Sequence, residues 1–435
     1  MLKNLIIKHH YIYLIYFVPI SFILGQSAVS LNFFFISLFT FLIFFFDKLN
    51  FKKIFDLNTK LIFFFFFFIF FIQIILYGVN GFKYFLLIRF LAITCLLKYY
   101  FLKNDLNIFF NKYFKILSFI FIFIFIDLII QRTFGIDIFG YKSTIETNIN
   151  RLTGPFGNNE YIPGSYIFHI CLPAVIYFIC NFYNKNFFLK LLIIIVVMEF
   201  LLLGIFITGE RTSFLMTFLS IILFAVIKKN LRLEIIVSLV ISILTIIYIS
   251  NKNSYYKERY LIFLETVVTK KNSLTKTSNS NFFDSQWGAH YLTSIEIFKS
   301  NILLGSGVRS FRIECSNDKY NNIESESKDI RCSTHPHNFY LEILSETGIL
   351  SFTIFIIYIV SNIVSSVKLL SSKKEFVILV SFFVVFISMI WPLRATGSIF
   401  SNFAGSMMWL NFAFISAINF KLFQHNKDNN NSIKI

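Results

Sequence analysis

The segment LIFFFFFFIFF, from Leu61 to Phe71, contains no polar side chain, and comparable apolar runs recur along the chain. Hydrophobic residues occupy 56% of the 435 positions, and Phe alone occurs 62 times. A soluble fold of this size leaves about a quarter of its unfolded surface in water, so it could not hide this much apolar surface. In a bilayer, lipid solvates the outer faces of apolar helices. The runs therefore predict an all-α, polytopic membrane protein.

About twelve of these runs are long enough for transmembrane helices. The fourth is interrupted by Arg89 and Lys98, and a charge in the hydrocarbon region normally serves a partner or a ligand. The predicted spans cover residues 11–27, 31–46, 61–79, 84–101, 114–131, 164–182, 187–208, 212–227, 232–250, 350–367, 375–391 and 403–420.

The formal charge of +17 reflects membrane topology rather than a nucleic-acid partner. Just over half of the 40 Lys and Arg residues fall in segments on the side of the bilayer that holds the N-terminus, and the short loops opposite hold few. Because cytoplasmic loops carry an excess of Lys and Arg, this asymmetry predicts cytoplasmic N- and C-termini. The loops near 132–163 and 251–349 then face outward.

The hydropathy pattern divides the chain into a membrane domain and one large insert. Residues 1–250 hold nine spans, and residues 350–420 hold three. The insert, residues 251–349, is too long for an unstructured loop and is expected to form helices of its own. The asparagine-rich tail, residues 421–435, is expected to be disordered. The first apolar run is either a cleavable signal peptide or, as we expect because further spans follow at once, an uncleaved span.

Two of the five cysteines, Cys315 and Cys332, lie in the insert. In an oxidising compartment such a pair is expected to form a disulfide. Zinc is the alternative, with His335 and His337 as further ligands, although the C-x₂-C spacing of typical structural sites is absent. We therefore expect no metal and no other cofactor.

The segment STHPHNFYLEILSETGILSF, from Ser333 to Phe352, places two histidines before an amphipathic helix at the mouth of a predicted span. Pro336 fits a first helical turn, and Gly348 fits a C-terminal stop. His337 would then lie at a helix N-terminus, where the dipole disfavours imidazolium. A neutral imidazole accepts protons, so His337 is a candidate general base. The simpler alternative is a histidine that caps the helix.

Several arginines are predicted on the same side of the membrane as His337. Guanidinium groups that converge on one face suit a multiply charged anion, above all a diphosphate held by forked hydrogen bonds. Each alone is equally compatible with an interfacial anchor or a salt bridge. The set comprises Arg89, Arg151, Arg211, Arg309, Arg312 and Arg394.

The chain carries four motifs along its length: RLTGPFGNN, TGERTSFL, LLGSGVRSFR and HPHNFYLEILSETGILSF. In these motifs it resembles the O-antigen ligase and O-antigen polymerase superfamily, which comprises bacterial inner-membrane glycosyltransferases with about a dozen spans and a large periplasmic loop. The His-Asn-x₉-Gly pattern of the family is present as His337, Asn338 and Gly348. Ser351 stands where a second glycine is expected.

One departure concerns the segment DSQWGAH around Trp287. Many members carry an arginine just before the tryptophan, and this chain does not. His290 or Arg309 is expected to take its role.

The resemblance implies a metal-independent, inverting transfer at the periplasmic face. The donor would be a glycan linked to undecaprenyl diphosphate, and the acceptor would be the lipid A core or a second lipid-linked glycan. His337 would take the proton of the acceptor hydroxyl, while Arg211 would neutralise the leaving diphosphate. Substrate-binding roles fall to Arg89, Arg151, Asn158, Arg309, Arg312, His335, Asn338 and Arg394.

Other functions remain open. A flippase or transporter for lipid-linked sugars usually shows internal repeats, and none is visible. An enzyme of the oligosaccharyltransferase type needs an acidic first outer loop, which here reads GQSAVSLN. A non-enzymatic scaffold or sensor is a further alternative. Polymerase and ligase share donor chemistry, and the well-formed His337 and Arg211 motifs favour a ligase.

Overall fold

The computed structural model describes residues 9–142, 144–146, 149–157, 163–181, 186–262, 282–371 and 376–432, with the backbone alone at 144–146, 149–150 and 427–432. The helices are α1 (Ile12–Ile23), α2 (Gln26–Phe46), α3 (Lys48–Lys53), α4 (Leu57–Tyr77), α5 (Arg89–Lys103), α6 (Leu106–Phe134), α7 (Pro163–Tyr166), α8 (Leu172–Asn181), α9 (Phe187–Ile207), α10 (Arg211–Ile227), α11 (Arg232–Lys252), α12 (Ser254–Tyr256), α13 (Gln286–Ser300), α14 (Phe311–Glu314), α15 (Phe339–Ser371), α16 (Val377–Met389) and α17 (Ala404–Ser432). Two short strands, β1 (Thr144–Glu146) and β2 (Ile149–Arg151), pair antiparallel.

Within the described residues, eight helices are long and apolar enough to cross a membrane. Three shorter apolar helices, α1, α10 and α16, accompany them. The prediction of an all-α, polytopic membrane protein is confirmed. The predicted count of about twelve differs because the third and fourth spans belong to one helical stretch, Leu57–Lys103.

The start of the predicted fourth span is wrong. Residues Gly78–Ile88 form a 3₁₀ helix that packs back against α4. A Cβ at Gly81 would lie 2.3 Å from the carbonyl oxygen of Gln73, so only glycine permits this approach. As a result, α5 begins at Arg89, and this arginine lies at a helix end rather than inside a span.

The insert is fixed to the first part of α15. Gly348 divides this helix with φ 72° and ψ 179°, as expected for a helix stop. The N–H of Ile349 then donates to the carbonyl oxygen of Ile302 at 2.9 Å. A Cβ at Gly348 would lie 2.2 Å from the carbonyl oxygen of Leu303. Residues 282–338 therefore pack on one end of the bundle, which we call the insert end.

The described part of the insert contains helix, as expected, and a small separate core of Ile297, Phe311, Cys315 and Tyr320. Cys315 is bonded to Cys332, with Cα atoms 5.2 Å apart. Because this disulfide uses both sulfurs, the zinc alternative loses two of its four ligands.

The expectation of a disordered tail from residue 421 is wrong over most of its length. Helix α17 continues to Ser432. Its apolar part is buried among the other helices, and a helix that is already nucleated extends at one hydrogen bond per added residue.

Gly348→Ala is expected to destabilise the protein strongly, because the added methyl group collides with backbone that cannot retreat. Gly140→Ala is the matched control, since Gly140 also has a positive φ of 84° but has nothing within 4 Å of an added Cβ. In the control, the free energy of unfolding should fall by only about 1 kcal/mol, because alanine is less stable than glycine in the left-handed conformation. Thermal unfolding of detergent-solubilised protein measures both. An equal decrease of the unfolding temperature in both variants would show that the contact between Gly348 and Leu303 is not tight.

Candidate functional site

A cavity of about 410 Å³ lies at the insert end. Its apolar wall is formed by methionine, phenylalanine and alanine side chains of α10 and α17 and their neighbours. Its polar wall consists of Arg151, Ser165, His169, Glu210, Arg211, Thr212, Ser213, Arg259, Trp287, His335, His337, Arg394 and Thr396. The structure thus brings the predicted His337 and Arg211 to one cavity, together with the predicted Arg151, His335 and Arg394.

His337 lies in a tight turn two residues before α15. Its φ is 57°, a conformation that is uncommon outside glycine and that clusters at functional sites. Its Nε2 is 3.0 Å from the Ser333 hydroxyl. Its ring packs edge-on against Trp287, with centroids 4.6 Å apart. The turn therefore fixes both the position and the plane of the imidazole.

Burial, and then the neighbouring His335 and His290, lower the pKa of His337 to about 3. The sequence pattern predicted a neutral imidazole for another reason, the dipole of a helix beginning near Pro336. In the structure α15 begins at Phe339. Since desolvation disfavours the charged form, burial is the main cause of neutrality.

His335 holds the loop after α16 in place. Its Nε2 is 3.0 Å from the carbonyl oxygen of Thr396, which can only accept a hydrogen bond. The N–H of Thr396 donates to the carbonyl oxygen of His337 at 2.8 Å. This pair of bonds joins the histidine turn to the loop that carries Arg394.

Arg151 is brought to the cavity by polar side chains of α6. The Gln131 amide accepts from the N–H groups of Thr153 and Gly154, each at 2.9 Å, and donates to the Thr153 hydroxyl. Asp127 accepts from the N–H of Ile138 at 2.8 Å. The described part of the segment after α6 is thus anchored to this helix rather than being a plain connection.

Arg211 begins α10 directly after Glu210. The Glu210 carboxylate accepts from the N–H and hydroxyl of Ser165 at 2.9 and 2.8 Å, and from the Ser213 hydroxyl at 2.7 Å. This network ties the start of α7 to the start of α10, which positions Arg211 in the cavity wall.

Arg259 was not predicted as a site residue. Its Nε donates to the carbonyl oxygen of Gly209 at 2.5 Å, and burial and then the charge of Arg151 lower its pKa. Neither His290 nor Arg309, the expected substitutes for the arginine missing beside Trp287, lines the cavity. The sequence signal for Arg259 was weak, since many basic residues occur in the insert.

Arg394 is a buried cation with spare donors. Its side chain is 8% exposed, and its Nη2 is 3.0 Å from Nε2 of His169. Its Nε and Nη1 are buried without a hydrogen-bond partner among the described residues. Burial lowers the pKa of Arg394 to about 10, so it stays protonated at neutral pH. His169 itself is buried, at 4% exposure.

The other predicted site residues do not line this cavity. Asn338 caps α15, because its Oδ1 accepts from the N–H groups of Tyr340 and Leu341. Asn158 lies outside the described residues. The remaining three, Arg89, Arg309 and Arg312, form a group of their own at the same end of the bundle.

Among the described residues, no three His, Cys, Asp or Glu side chains form a group that could hold a metal ion. The donor set of the cavity is instead rich in guanidinium N–H groups, which bind oxyanions. Guanidiniums that repel one another in a partly buried wall are stabilised by a multiply charged anion between them. The geometry can therefore bind such an anion beside a neutral imidazole.

Comparison with known proteins supports one family. No curated protein matches the chain. A family model described as O-antigen ligase matches residues 196–356. The matched segment contains Arg211, Arg259 and His337, whereas Arg151 and Arg394 lie outside it. Over this segment, which is less than half of the chain, the protein is similar to the O-antigen ligase family.

Proposed function

We propose that the protein transfers a glycan from undecaprenyl diphosphate to a sugar hydroxyl of an acceptor, as an O-antigen ligase. The observation that carries this proposal is the cavity that the neutral His337 shares with four arginines. The leaving group of such a donor is already activated, so charge stabilisation and one proton acceptor are sufficient for transfer.

In this proposal the diphosphate lies against Arg151, Arg211, Arg259 and Arg394. The spare Nε and Nη1 of Arg394 supply two of the hydrogen bonds that its oxygens accept. The apolar wall, which includes Met216 and Met407, suits the first prenyl units of the carrier. The glycan then projects toward the histidine turn.

His337 is proposed to act as the general base. The acceptor oxygen attacks the anomeric carbon from the side opposite the diphosphate, the bond from this carbon to the phosphate oxygen breaks, and the hydroxyl proton passes to His337. If Nε2–H donates to Ser333, Nδ1 carries the lone pair. The arriving anion raises the pKa of the buried imidazole, since an opposite charge favours imidazolium.

The proposed location is the bacterial inner membrane, with both termini cytoplasmic and the insert end periplasmic. The distribution of Lys and Arg supports this orientation, and so does the disulfide between Cys315 and Cys332, since disulfides persist in oxidising compartments. The division into a membrane domain (1–250 and 350–420) and an insert (251–349) is proposed with it.

The decisive experiment is transfer in vitro from a lipid-diphosphate glycan to lipid A core, with and without a chelator. Product formation that survives the chelator supports the proposal, whereas a need for a divalent metal contradicts the mechanism. In a deletion strain, loss of all capped lipopolysaccharide indicates a ligase. Capping by single repeats indicates a polymerase.

His337→Ala is expected to lower transfer by about 100- to 10,000-fold, the usual contribution of a general base. Binding of undecaprenyl diphosphate, read as thermal stabilisation of the purified protein, should stay as in the wild type. Wild-type transfer in this variant would eliminate His337 as the base.

Arg259→Gln is expected to weaken donor binding by roughly ten- to a hundredfold, which is the effect of one charge-assisted hydrogen bond. Arg232→Gln is the matched control, since Arg232 also donates through Nε to a backbone carbonyl, that of Ala225, away from the cavity. Donor affinity is measured by titration. An equal effect of both substitutions would indicate a general loss of stability.

The dependence of kcat/KM on pH should reflect the lowered pKa of His337. A base with a folded-state pKa of about 3 stays deprotonated as the pH falls, so the acid limb should lie well below 6.5, the ordinary value for histidine. The profile for kcat should turn down at higher pH than that for kcat/KM, because the bound anion favours imidazolium. An acid limb of kcat/KM at 6.5 would contradict the buried site.

A further inference from the structure

A second cluster of guanidiniums lies beside the cavity and has no role in the donor chemistry described above. Nη2 of Arg89 donates to Oδ1 of Asn402 at 2.7 Å. Nη2 of Arg309 donates to the carbonyl oxygen of Phe400 at 2.9 Å. The two acceptors are two residues apart on one loop, and the charges of Arg89 and Arg309 are close enough to interact.

Arg312 completes this cluster. It follows Arg309 by three residues, and both guanidiniums act on the same phenol, that of Tyr84. The charge of Arg312 also reaches His335, two residues from the proposed base. The second cluster is therefore close enough to the histidine turn to interact with it electrostatically.

The backbone that carries Arg309 is held rigidly. Arg309 has a φ of 62°, and its N–H donates to the Glu346 carboxylate at 2.7 Å. The N–H of Val308 donates to the Gln73 amide at 3.1 Å. A strained non-glycine residue persists only where its surroundings determine it. Here the backbone N–H groups bond to buried side chains, while the Arg309 side chain is exposed.

The nearby carboxylates do not form ion pairs with these arginines. Glu346 accepts from the N–H groups of Arg309 and Phe311, and Glu342 accepts from the N–H of Ile399 and the hydroxyl of Ser398. Among the described residues, none of the three arginines takes part in an ion pair. Their charge is available to a ligand.

The surroundings of the cluster are apolar and exposed. Ile313, next to Arg312, is 71% exposed, and Phe82, Phe85 and Leu86 of the 3₁₀ helix are also exposed. Exposed apolar side chains beside cations are typical of the boundary between acyl chains and head groups. The cluster therefore suits a phosphate that is carried by a lipid rather than one free in solution.

We propose that Arg89, Arg309 and Arg312 bind a phosphate group of the lipid-anchored acceptor. This inference rests on the proposed function, because it assigns the second substrate of that reaction. The loop 394–402 contributes Arg394 to the donor cavity and holds Arg89 and Arg309 through Asn402 and Phe400. Two lipid-borne phosphates on either side of this loop would bring donor and acceptor sugars together at His337.

The test uses Arg309→Gln/Arg312→Gln, since both side chains are exposed and their loss should not prevent folding. The apparent KM for lipid A core should rise at least tenfold, while stabilisation by undecaprenyl diphosphate should not change. With lipid A core from which the phosphates have been removed, wild type and variant should share the higher KM. Lys299→Gln/Lys328→Gln removes the same charge from exposed positions of the insert and should match the wild type.

Three results would overturn the proposal. Loss of stabilisation by undecaprenyl diphosphate would assign the cluster to the donor. A change only in the response to phosphatidylglycerol content of the vesicles would assign it to bulk lipid. An unchanged KM for phosphorylated acceptor would leave the cluster without a substrate. If the wild type transfers nothing, the proposed function fails. The site is then tested by binding alone: the wild type should bind phosphorylated lipid A core more tightly than dephosphorylated lipid A core, and the variant should bind both equally.

Discussion

Two carboxylates in the first turns of α15 connect the two arginine groups, because they fix the loops that carry Arg394 and Arg309. Glu342 accepts from the backbone of the loop that carries Arg394, and Glu346 accepts from the backbone of the loop that carries Arg309. Both side chains are fully or almost fully buried. A buried carboxylate needs such hydrogen bonds, because without them its desolvation would cost several kcal/mol. The same bonds fix two loops relative to the helix that follows His337.

Like charges next to one another define the chemistry of the site. Guanidiniums that repel each other in a partly buried wall do not stabilise the fold, and this arrangement supports the proposal of an anionic ligand. The histidine shows the complementary effect. Burial lowers the pKa of His337, and in the proposed mechanism an anion bound in the same cavity would raise it again.

The fold also determines where the histidine turn lies. Gly348 ends a helical segment at the insert end, and the insert packs on this stop through Leu303. The histidine turn is thereby placed between the outer ends of the bundle and the insert. The polar side chains of the cavity are concentrated there rather than within the apolar bundle.

The sequence by itself determined the membrane class, most of the helix positions and the glycine stop at Gly348. It also predicted His337 and Arg211 as site residues; both line the cavity, and their roles stay predictions. These follow from hydropathy, from local conformational preference and from a motif, all of which depend on residues close together in the chain. The sequence pattern placed the start of the fourth span too early in the chain, and it also ended the last helix too early. Packing against other helices decides such boundaries.

Only the tertiary structure decided how the arginines are shared between two groups. Arg259 joins the cavity through a bond to Gly209, which is 50 residues away in sequence, while Arg89 and Arg309 meet through a loop near residue 400. The cause of the neutral histidine was decided in the same way, since burial depends on what surrounds a side chain. Distances between remote segments are set by packing, and a sequence pattern does not contain them.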